Sequence, residues 1–336
     1  MTKLKDIAVV AGVSISTVSK ALNNSHEIKD ETRMKIVRIA RELNYHLPPP
    51  QKDWPGKNKQ SIGVICPEVY SNYYTQLISS IGAQITKRGY SYTFAVSDFK
   101  TEKEMDYLRI FGGQQIDGII LISENSQIQD TLEGIQEIWN IPLVLITIEN
   151  QINHFDCIWI DDYYGASTGV EYLVKLGHRR IGYIGDHLTE NRFRAFRDVM
   201  QKNQLPLIDS IIKISDYRFE DCGYRSMKTI LDAPVRPTAI FAAYDDIAIG
   251  ALRAVTERNL SVPDDISIMG MDNVAVCPYL SKALTTVSNP IKEMAVVTVS
   301  ILFRKIKDKH FTVIQNVALK PSLIKRETTA KIKADS

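Results

Sequence analysis

From Ser61 onward, short apolar runs alternate with amphipathic segments, and no other feature restricts the fold of this chain so strongly. SIGVICPE, YSYTFAVSD, DGIILIS, PLVLITI and DCIWID read as strands, since near-continuous apolar runs of this length suit a sheet buried on both faces. Tyr74 to Arg88 and Glu102 to Gly112 read as helices between the early strands. Gly165 to Gly177 is a further helix, after which RIGYIGD, SIIKIS, TAIFAAYD and ISIMGMD repeat the pattern. Such βαβ order predicts parallel sheets covered by helices on both faces, in two lobes with a cleft where ligands meet the carboxyl ends of strands.

The first sixty residues differ in kind. They hold eleven Lys and Arg against six Asp and Glu, a balance of +5 in a chain whose total is +2, which leaves −3 on the body. A basic head on a slightly acidic body predicts a nucleic-acid contact confined to one end. Leu4, Ile7, Ala8 and Ala11 fall at helical spacing, with Asp6 in the first turn where the helix dipole favours an acid. Gly12-Val13-Ser14 then permits a tight turn, and the Ser14 hydroxyl is placed to cap a second helix from Ser16 to Leu22. Val18, Ala21 and Leu22 face inward there, leaving a small, polar outer face. After a loop from Asn23 to Ile28, a third helix is expected over about residues 30–44, with Ile36, Ile39, Ala40 and Leu43 inward. A short helix carrying hydroxyl side chains and one Lys suits the major groove, where bulk clashes and donors read base edges. An accessory helical bundle has the same periodicity.

The run LKDIAVVAGVSISTVSKALNNSHEIKDETRMKIVRIARELNY is more specific than its periodicity. It resembles the DNA-binding domain of the lactose and galactose repressor (LacI/GalR) family, matching D-[IV]-A-x-x-A-G-V-S-x-x-T-V-S-[RK]-x-L-N almost throughout, with the later T-R-x-x-[IV]. The resemblance implies that Ile15, Ser16 and Lys20 face bases of double-stranded operator DNA, while Thr17, Ser19, Asn23 and Thr32 lie near phosphates. Lys20 stands where the family usually has Arg, which implies a weaker bidentate grip on guanine. His26 is read as a loop or phosphate-side residue.

Residues 47–60, LPPPQKDWPGKNKQ, are rich in Pro and polar residues and mark a boundary. The expected domains are a helix-turn-helix head (1–46), this linker (47–60), a two-lobe effector-binding and dimerisation domain (61–330) and a tail (331–336). The family has a hinge helix here, Y-x-P-N-x-x-A-R-x-L, whose Leu enters the minor groove. Tyr45 keeps the Tyr, whereas Leu47, Gln51, Lys52 and Trp54 replace the Pro, Ala, Arg and Leu. Pro48, Pro49, Pro50 and Pro55 allow at most one helical turn. Trp54 is therefore either an alternative minor-groove wedge or a residue packed on the core domain.

The resemblance continues through LVKLGHRRIGYIGD, RPTAIFAAYDDIAIGALRAVTERNLSVPDDISIMGMDN and LTTVSNPIKEMA, and implies a type I periplasmic-binding-protein-like core with crossovers near 161, 290 and 320. EVYSNYYTQL aligns with the family's D-I-S-N-P-F-F-A-E-L and implies that Tyr73 and Tyr74 are the two aromatics beside the ligand. Arg192, in RFRAF, matches R-x-x-G-[FYW] with Ala195 in place of the Gly, and Asp272, in GMDN, matches an Asp that accepts from hydroxyls. Tyr244, in AAYDD, takes the place of a frequent ligand Asn. The aromatic lid falls on Tyr217 or Phe219, because one residue is inserted near SDYRFEDCGY. Arg, Asp and aromatics together suit a sugar or sugar phosphate, and a nucleobase remains open.

Other chemistries are poorly represented. Cys66, Cys157, Cys222 and Cys277 are far apart and form neither CxxC nor metal-ligand spacing, so they read as reduced thiols in a cytoplasmic protein without metal or cofactor. The N-terminus is charged and amphipathic rather than signal-like, and no apolar stretch reaches the length of a membrane span. Gly165-Ala166-Ser167-Thr168-Gly169 is a literal G-x-S-x-G, the pattern of a hydrolase nucleophile elbow. Asp161 to Tyr164 are expected to separate strand from helix there, which places Ser167 away from a sharp turn. Asp245-Asp246 and Asp264-Asp265 read as turn and cap residues rather than acid-base pairs.

These expectations converge on a transcriptional regulator, a repressor of a carbohydrate-utilisation operon, and not an enzyme. A two-fold homodimer bridges a pseudo-palindromic operator, because one head contacts only a half-site. KRETTAKIKADS lacks a Leu-heptad tail, which favours a dimer over a tetramer. The alternatives are a global catabolite regulator with a phosphoprotein corepressor and a hydrolase using Ser167.

Overall fold

The computed structural model describes residues 4–22, 28, 30–43, 45, 60–114, 116–125, 128, 131–132, 141–147 and 154–332. Asn23, His26, Trp54 and all of the linker except Gln60 lie outside the described residues.

In the head, α1 (Leu4–Ala11), α2 (Ile15–Leu22) and α3 (Asp30–Glu42) enclose a small core of Ile7, Ala8, Ala11, Val18, Ala21, Ile36, Ile39 and Ala40. Gly12 has φ 71°, a left-handed conformation that most side chains resist, and it lets the chain reverse between α1 and α2. The Ser14 hydroxyl accepts from the Thr17 backbone N–H at 3.0 Å, the cap its position predicts. Lys35 on α3 donates to the Ala11 carbonyl at 3.2 Å and so answers the open C-terminal end of α1.

The body holds two six-stranded sheets. In the first, β1 (Ser61–Cys66), β2 (Ser91–Val96), β3 (Gly118–Ser123), β4 (Leu143–Thr147), β5 (Asp156–Ile160) and β11 (Asn316–Leu319) take the order β11-β5-β4-β3-β1-β2. In the second, β6 (Ile181–Asp186), β7 (Ile212–Ser215), β8 (Ala239–Ala242), β9 (Ser267–Asp272), β10 (Thr285–Ser288) and β12 (Ser322–Ile324) take the order β12-β10-β9-β8-β6-β7. The helices between them are α4 (Asn72–Thr86), α5 (Thr101–Gly113), α6 (Asp162–Lys175), α7 (Glu190–Lys202), α8 (Phe219–Leu231), α9 (Asp245–Glu257) and α10 (Ile291–Lys307). Every residue of β3, β6 and β9 is buried, the consequence of helices on both faces.

The chain passes between the two sheets after β5, after β10 and between β11 and β12. After β10, Ile291, Met294, Val299 and Leu302 of α10 return to the first core and pack with Ile62, Ile120 and Val144. The second core is larger and is built around Tyr183, Phe196, Phe241 and Met269. Within it α8 and α9 touch backbone to backbone. A Cβ on Gly250 would lie 1.9 Å from the Glu220 carbonyl oxygen, and one on Gly223 equally close to that of Ile247.

Some expectations need correction. The short strands β10, β11 and β12 have no counterpart among the segments read as strands, and β12 pairs antiparallel with β10, so the second sheet is not wholly parallel. α4 begins at Asn72, two residues before the predicted Tyr74, because the Ser71 hydroxyl accepts from the Tyr74 N–H and closes the first turn there. α6 begins at Asp162, with Asp161 as its cap through the Tyr164 N–H at 2.9 Å. A single residue, not four, therefore separates β5 from α6.

Candidate functional site

Both sheets present the carboxyl ends of their strands to one cleft, whose open space is about 850 Å³ and partly continuous with solvent. Glu124 follows β3, Thr147 ends β4, Asp162 begins α6 just after β5, and Asp186 and Asp272 are the last residues of β6 and β9. A doubly wound sheet places its ligand crevice at such ends, where the chain changes direction.

Arg192, in the first turn of α7, holds the floor together. Its Nε and Nη2 donate to the two Asp162 oxygens at 3.2 Å each, and Nη1 donates to the Ala243 carbonyl at 2.7 Å. The Asp272 carboxylate lies 3.2 Å from Nη2 and accepts in addition from the Asn289 amide at 2.7 Å. Asp272 has φ 111°, a backbone conformation rare for a side-chain-bearing residue, and it sits at the strand end where that carboxylate must turn into the cleft.

Tyr73 and Tyr74 stand edge to face, with centroids 5.0 Å apart. Both line the cleft, but Tyr74 is buried in the first core and its hydroxyl donates in a short bond to Glu124. Burial pushes both phenols well above the ordinary tyrosine range, so they remain neutral donors. Burial raises the Glu124 carboxyl too, against the opposing Tyr74 bond. Tyr244 is buried beside β8, donating to Asp186 at 2.6 Å and accepting from the Phe219 N–H at 3.0 Å. Phe219 lines the cleft, with its backbone in the left-handed region at φ 57°, whereas Tyr217 is half exposed beneath the Arg225 guanidinium.

Several cleft groups escaped the reading of the chain. Arg218 reaches from the second lobe to Glu68, which follows β1 in the first, and its guanidinium also stacks over Phe99 and Phe219. Asn72, at the start of α4, donates to Asp246 in the other lobe at 2.8 Å. Neither Asp245 nor Asp246 caps α9, which corrects the cap reading. Asp245 is wholly buried and accepts from Thr286, from the Val274 N–H and from the Cys277 thiol, while Asp246 lines the cleft. The signal available was a carboxylate one or two positions beyond an apolar run, as in SIGVICPE and DGIILISE.

Ser167 lies inside α6 rather than on the strand-to-helix turn, and its Oγ is buried without a hydrogen-bond partner. Buried His178 spends its ring nitrogens on Thr238 and the Ala330 carbonyl. Cys66, Cys157, Cys222 and Cys277 are buried and unbridged. Among the described residues there is no cluster of three or more His, Cys, Asp or Glu placed for a metal, and no helix long and apolar enough to cross a membrane.

On the head, Ile15, Ser16 and Lys20 are exposed along the outer face of α2. Thr17 is partly buried, with its hydroxyl 2.8 Å from that of Ser14, and Ser19 is partly buried. Thr32 joins Met34, Lys35 and Arg38 along a shallow groove on α3.

Residues 3–47 match the model of bacterial regulatory proteins of the lacI family, and residues 170–329 match a periplasmic-binding-protein-like domain. The transcriptional regulator DegA of Bacillus subtilis is 32% identical over 337 residues, covering 98% of this chain and 99% of its own. The chain belongs to the lacI family of bacterial regulatory proteins. As a lacI-family member it is a DNA-binding transcriptional regulator. The lac repressor dimer bound to operator and an anti-inducer is 25% identical, with TM-score 0.71, over 98% of this chain and 99% of that one. A lacI-family regulator of Enterococcus faecalis with bound ribose is 25% identical, with TM-score 0.69, over 81% of this chain and all of that one.

Proposed function

We propose that this lacI-family regulator represses a carbohydrate-utilisation operon and that a small sugar in the interlobe cleft sets its affinity for the operator. The observation that carries the reading is the floor of the cleft, where Arg192 is clamped between Asp162 and Asp272 beside the Tyr73 ring. Ring faces suit the CH-rich side of a sugar, and fixed carboxylates accept its hydroxyls. The ribose held by the Enterococcus faecalis regulator supports the same ligand class. In this reading Tyr73, Tyr74, Arg192, Phe219, Tyr244 and Asp272 form the effector site. Ile15, Ser16 and Lys20 read bases, with Thr17, Ser19 and Thr32 toward phosphates. The protein acts in the cytoplasm as a homodimer that bridges two half-sites.

Coupling follows from differential affinity. A sugar that binds better to one arrangement of the lobes shifts the dimer toward it, and the paired heads move with the lobes. The test is selection of duplexes from a random pool by the full chain, then fluorescence anisotropy on the selected site with and without mono- and disaccharides. A pseudo-palindromic site whose affinity changes with at least one sugar is expected. A sequence-indifferent pool, or a selected site insensitive to every saccharide, would overturn it.

A further inference from the structure

Among the described residues, the cleft has more carboxylates than cations, and both of those cations are already ion-paired. Five carboxylates among the described residues line it, Glu124, Asp162, Asp186, Asp246 and Asp272, against the two guanidiniums of Arg192 and Arg218, with no lysine. Arg192 gives its donors to Asp162, Asp272 and the Ala243 carbonyl. Arg218 is held bidentately by Glu68, at 2.8 and 3.1 Å, while its Nε faces Asp186 at 3.7 Å and makes no hydrogen bond. Glu124 and Asp246 are met by neutral donors instead, the Tyr74 hydroxyl and the Asn72 amide. Five helix N-termini among the described residues border the cleft; those of α6, α7, α8 and α9 each carry a carboxylate in the first turn, Asp162, Glu190, Glu220 and Asp246 among them, whereas that of α4 is capped by the Ser71 hydroxyl and carries none.

Resting on the effector reading above, we propose that the cleft excludes anions and selects ligands rich in donors, so that the effector is an uncharged or amino-bearing sugar and not a phosphorylated or carboxylated one. A phosphate placed here finds both guanidiniums already ion-paired, with only the Arg218 Nε lacking a hydrogen-bond partner, and any further guanidinium contact must break an existing pair and leave a buried carboxylate such as Glu68 or Asp272 uncompensated. Burial already holds Glu124 and Asp246 above the ordinary carboxylate range, so an anionic ligand either faces their charge or drives a further proton onto them. Hydroxyls and an ammonium group meet the same wall as donors to acceptors. The specificity is built as much from repulsion of the wrong ligand as from attraction of the right one.

The test uses the full-length protein in titration calorimetry and thermal shift, with matched sets. Glucose, ribose and cellobiose are each compared with their phosphate esters, glucose also with glucuronate and glucosamine, and adenosine with its monophosphate. At least one neutral or amino member is expected to bind, with its phosphorylated or carboxylated counterpart ~100-fold weaker or more, the effect of one uncompensated like-charge contact at protein-like screening. In the Glu124→Gln, Asp246→Asn double variant the gap is expected to shrink about tenfold. An anionic member that binds as tightly as its neutral counterpart overturns the proposal. Binding of adenosine but not its monophosphate, with no saccharide bound, overturns the carbohydrate reading while the charge selection stands. Silence across the whole panel overturns both.

Discussion

Arg218 and Glu68 clasp each other across the cleft, Nη1 to Oε2 at 2.8 Å and Nη2 to Oε1 at 3.1 Å, although they stand 150 positions apart in the chain. With the Asn72 to Asp246 bond, this places two polar fasteners between the lobes. Phe99 comes from the first lobe and Phe219 from the second, and both lie against the Arg218 guanidinium. Closure therefore depends on groups from both sheets at once.

Glu68→Gln is expected to loosen this clasp. Part of Arg218 is exposed, so the loss is nearer about 1–2 kcal/mol than the full cost of stripping a buried pair, roughly tenfold in effector affinity. Calorimetry gives the affinity, and small-angle scattering is expected to show a more open effector-free particle. Equal affinity and equal dimensions in wild type and variant would mean that the clasp does not govern closure.

Asp272→Asn keeps the shape of the side chain while removing its charge from Arg192. Loss of the effector response is expected, with operator binding preserved, because the cleft and α2 share no residue. Arg192→Ala is expected to lose the response as well, and to lower stability by several kcal/mol, since it strands Asp162 and Asp272. Operator anisotropy with and without sugar, alongside thermal melts, checks both. A full response in the two variants would move the effector elsewhere.

Ser16→Ala and Lys20→Ala are expected to lower the preference for operator over random DNA by about 1–3 kcal/mol, the usual worth of one base-reading contact. The core of the head is untouched by either change, since Ser16 and Lys20 are exposed. An unchanged ratio at matched salt would remove them from base readout.

Glu104 makes stability depend on pH. It is buried in the first turn of α5 and accepts from the Ser123 hydroxyl at 3.0 Å. Burial pushes its carboxyl up from 4.5 to about 7, with the Ser123 bond opposing and Glu124 adding to the rise. The folded state holds this proton more tightly than the unfolded state, so the contribution is fully present below the unfolded value. It declines as pH rises through the folded one. The decline is about 3 kcal/mol in all. Glu104→Gln is expected to flatten that slope and to raise the melting temperature at pH 8. Parallel pH profiles for variant and wild type would contradict it.

Gly250→Ala tests the α8 to α9 contact. The added methyl meets the Glu220 carbonyl, which cannot move without shifting a helix, so a loss of about 3 kcal/mol is expected by denaturant titration. Gly89→Ala is the contrast. Nothing lies within 4 Å of its added Cβ, so only its positive φ of 80° is strained, and a smaller loss is expected.

Much of the fold was readable because its signals are short-ranged. Ile119, Ile120, Leu121 and Ile122 form an unbroken apolar run, and a run of that length names a strand whichever sheet receives it. Ser14, Val18 and Ala21 likewise specify a capped helix from within one or two turns. β11 and β12 were not readable, since NVAL and SLI are brief and become strands only beside β5 and β10. Tyr73, Arg192 and Asp272 were reached through resemblance to a family, not through local pattern. Asp246 was missed because an acidic pair at a helix start has a cheaper local explanation.

By itself, then, the order of amino acids determined the three head helices, the twofold βαβ alternation and the basic end that faces DNA. Each of these rests on periodicity, capping or net charge, properties that neighbours along the chain settle among themselves. Only the tertiary structure decided which carboxylate answers which guanidinium. Glu68 takes Arg218, and Asp162 with Asp272 takes Arg192, because the two sheets aim their strand ends into one cleft. Coulombic pairing acts through space, and the distances that choose its partners do not exist until the lobes have packed.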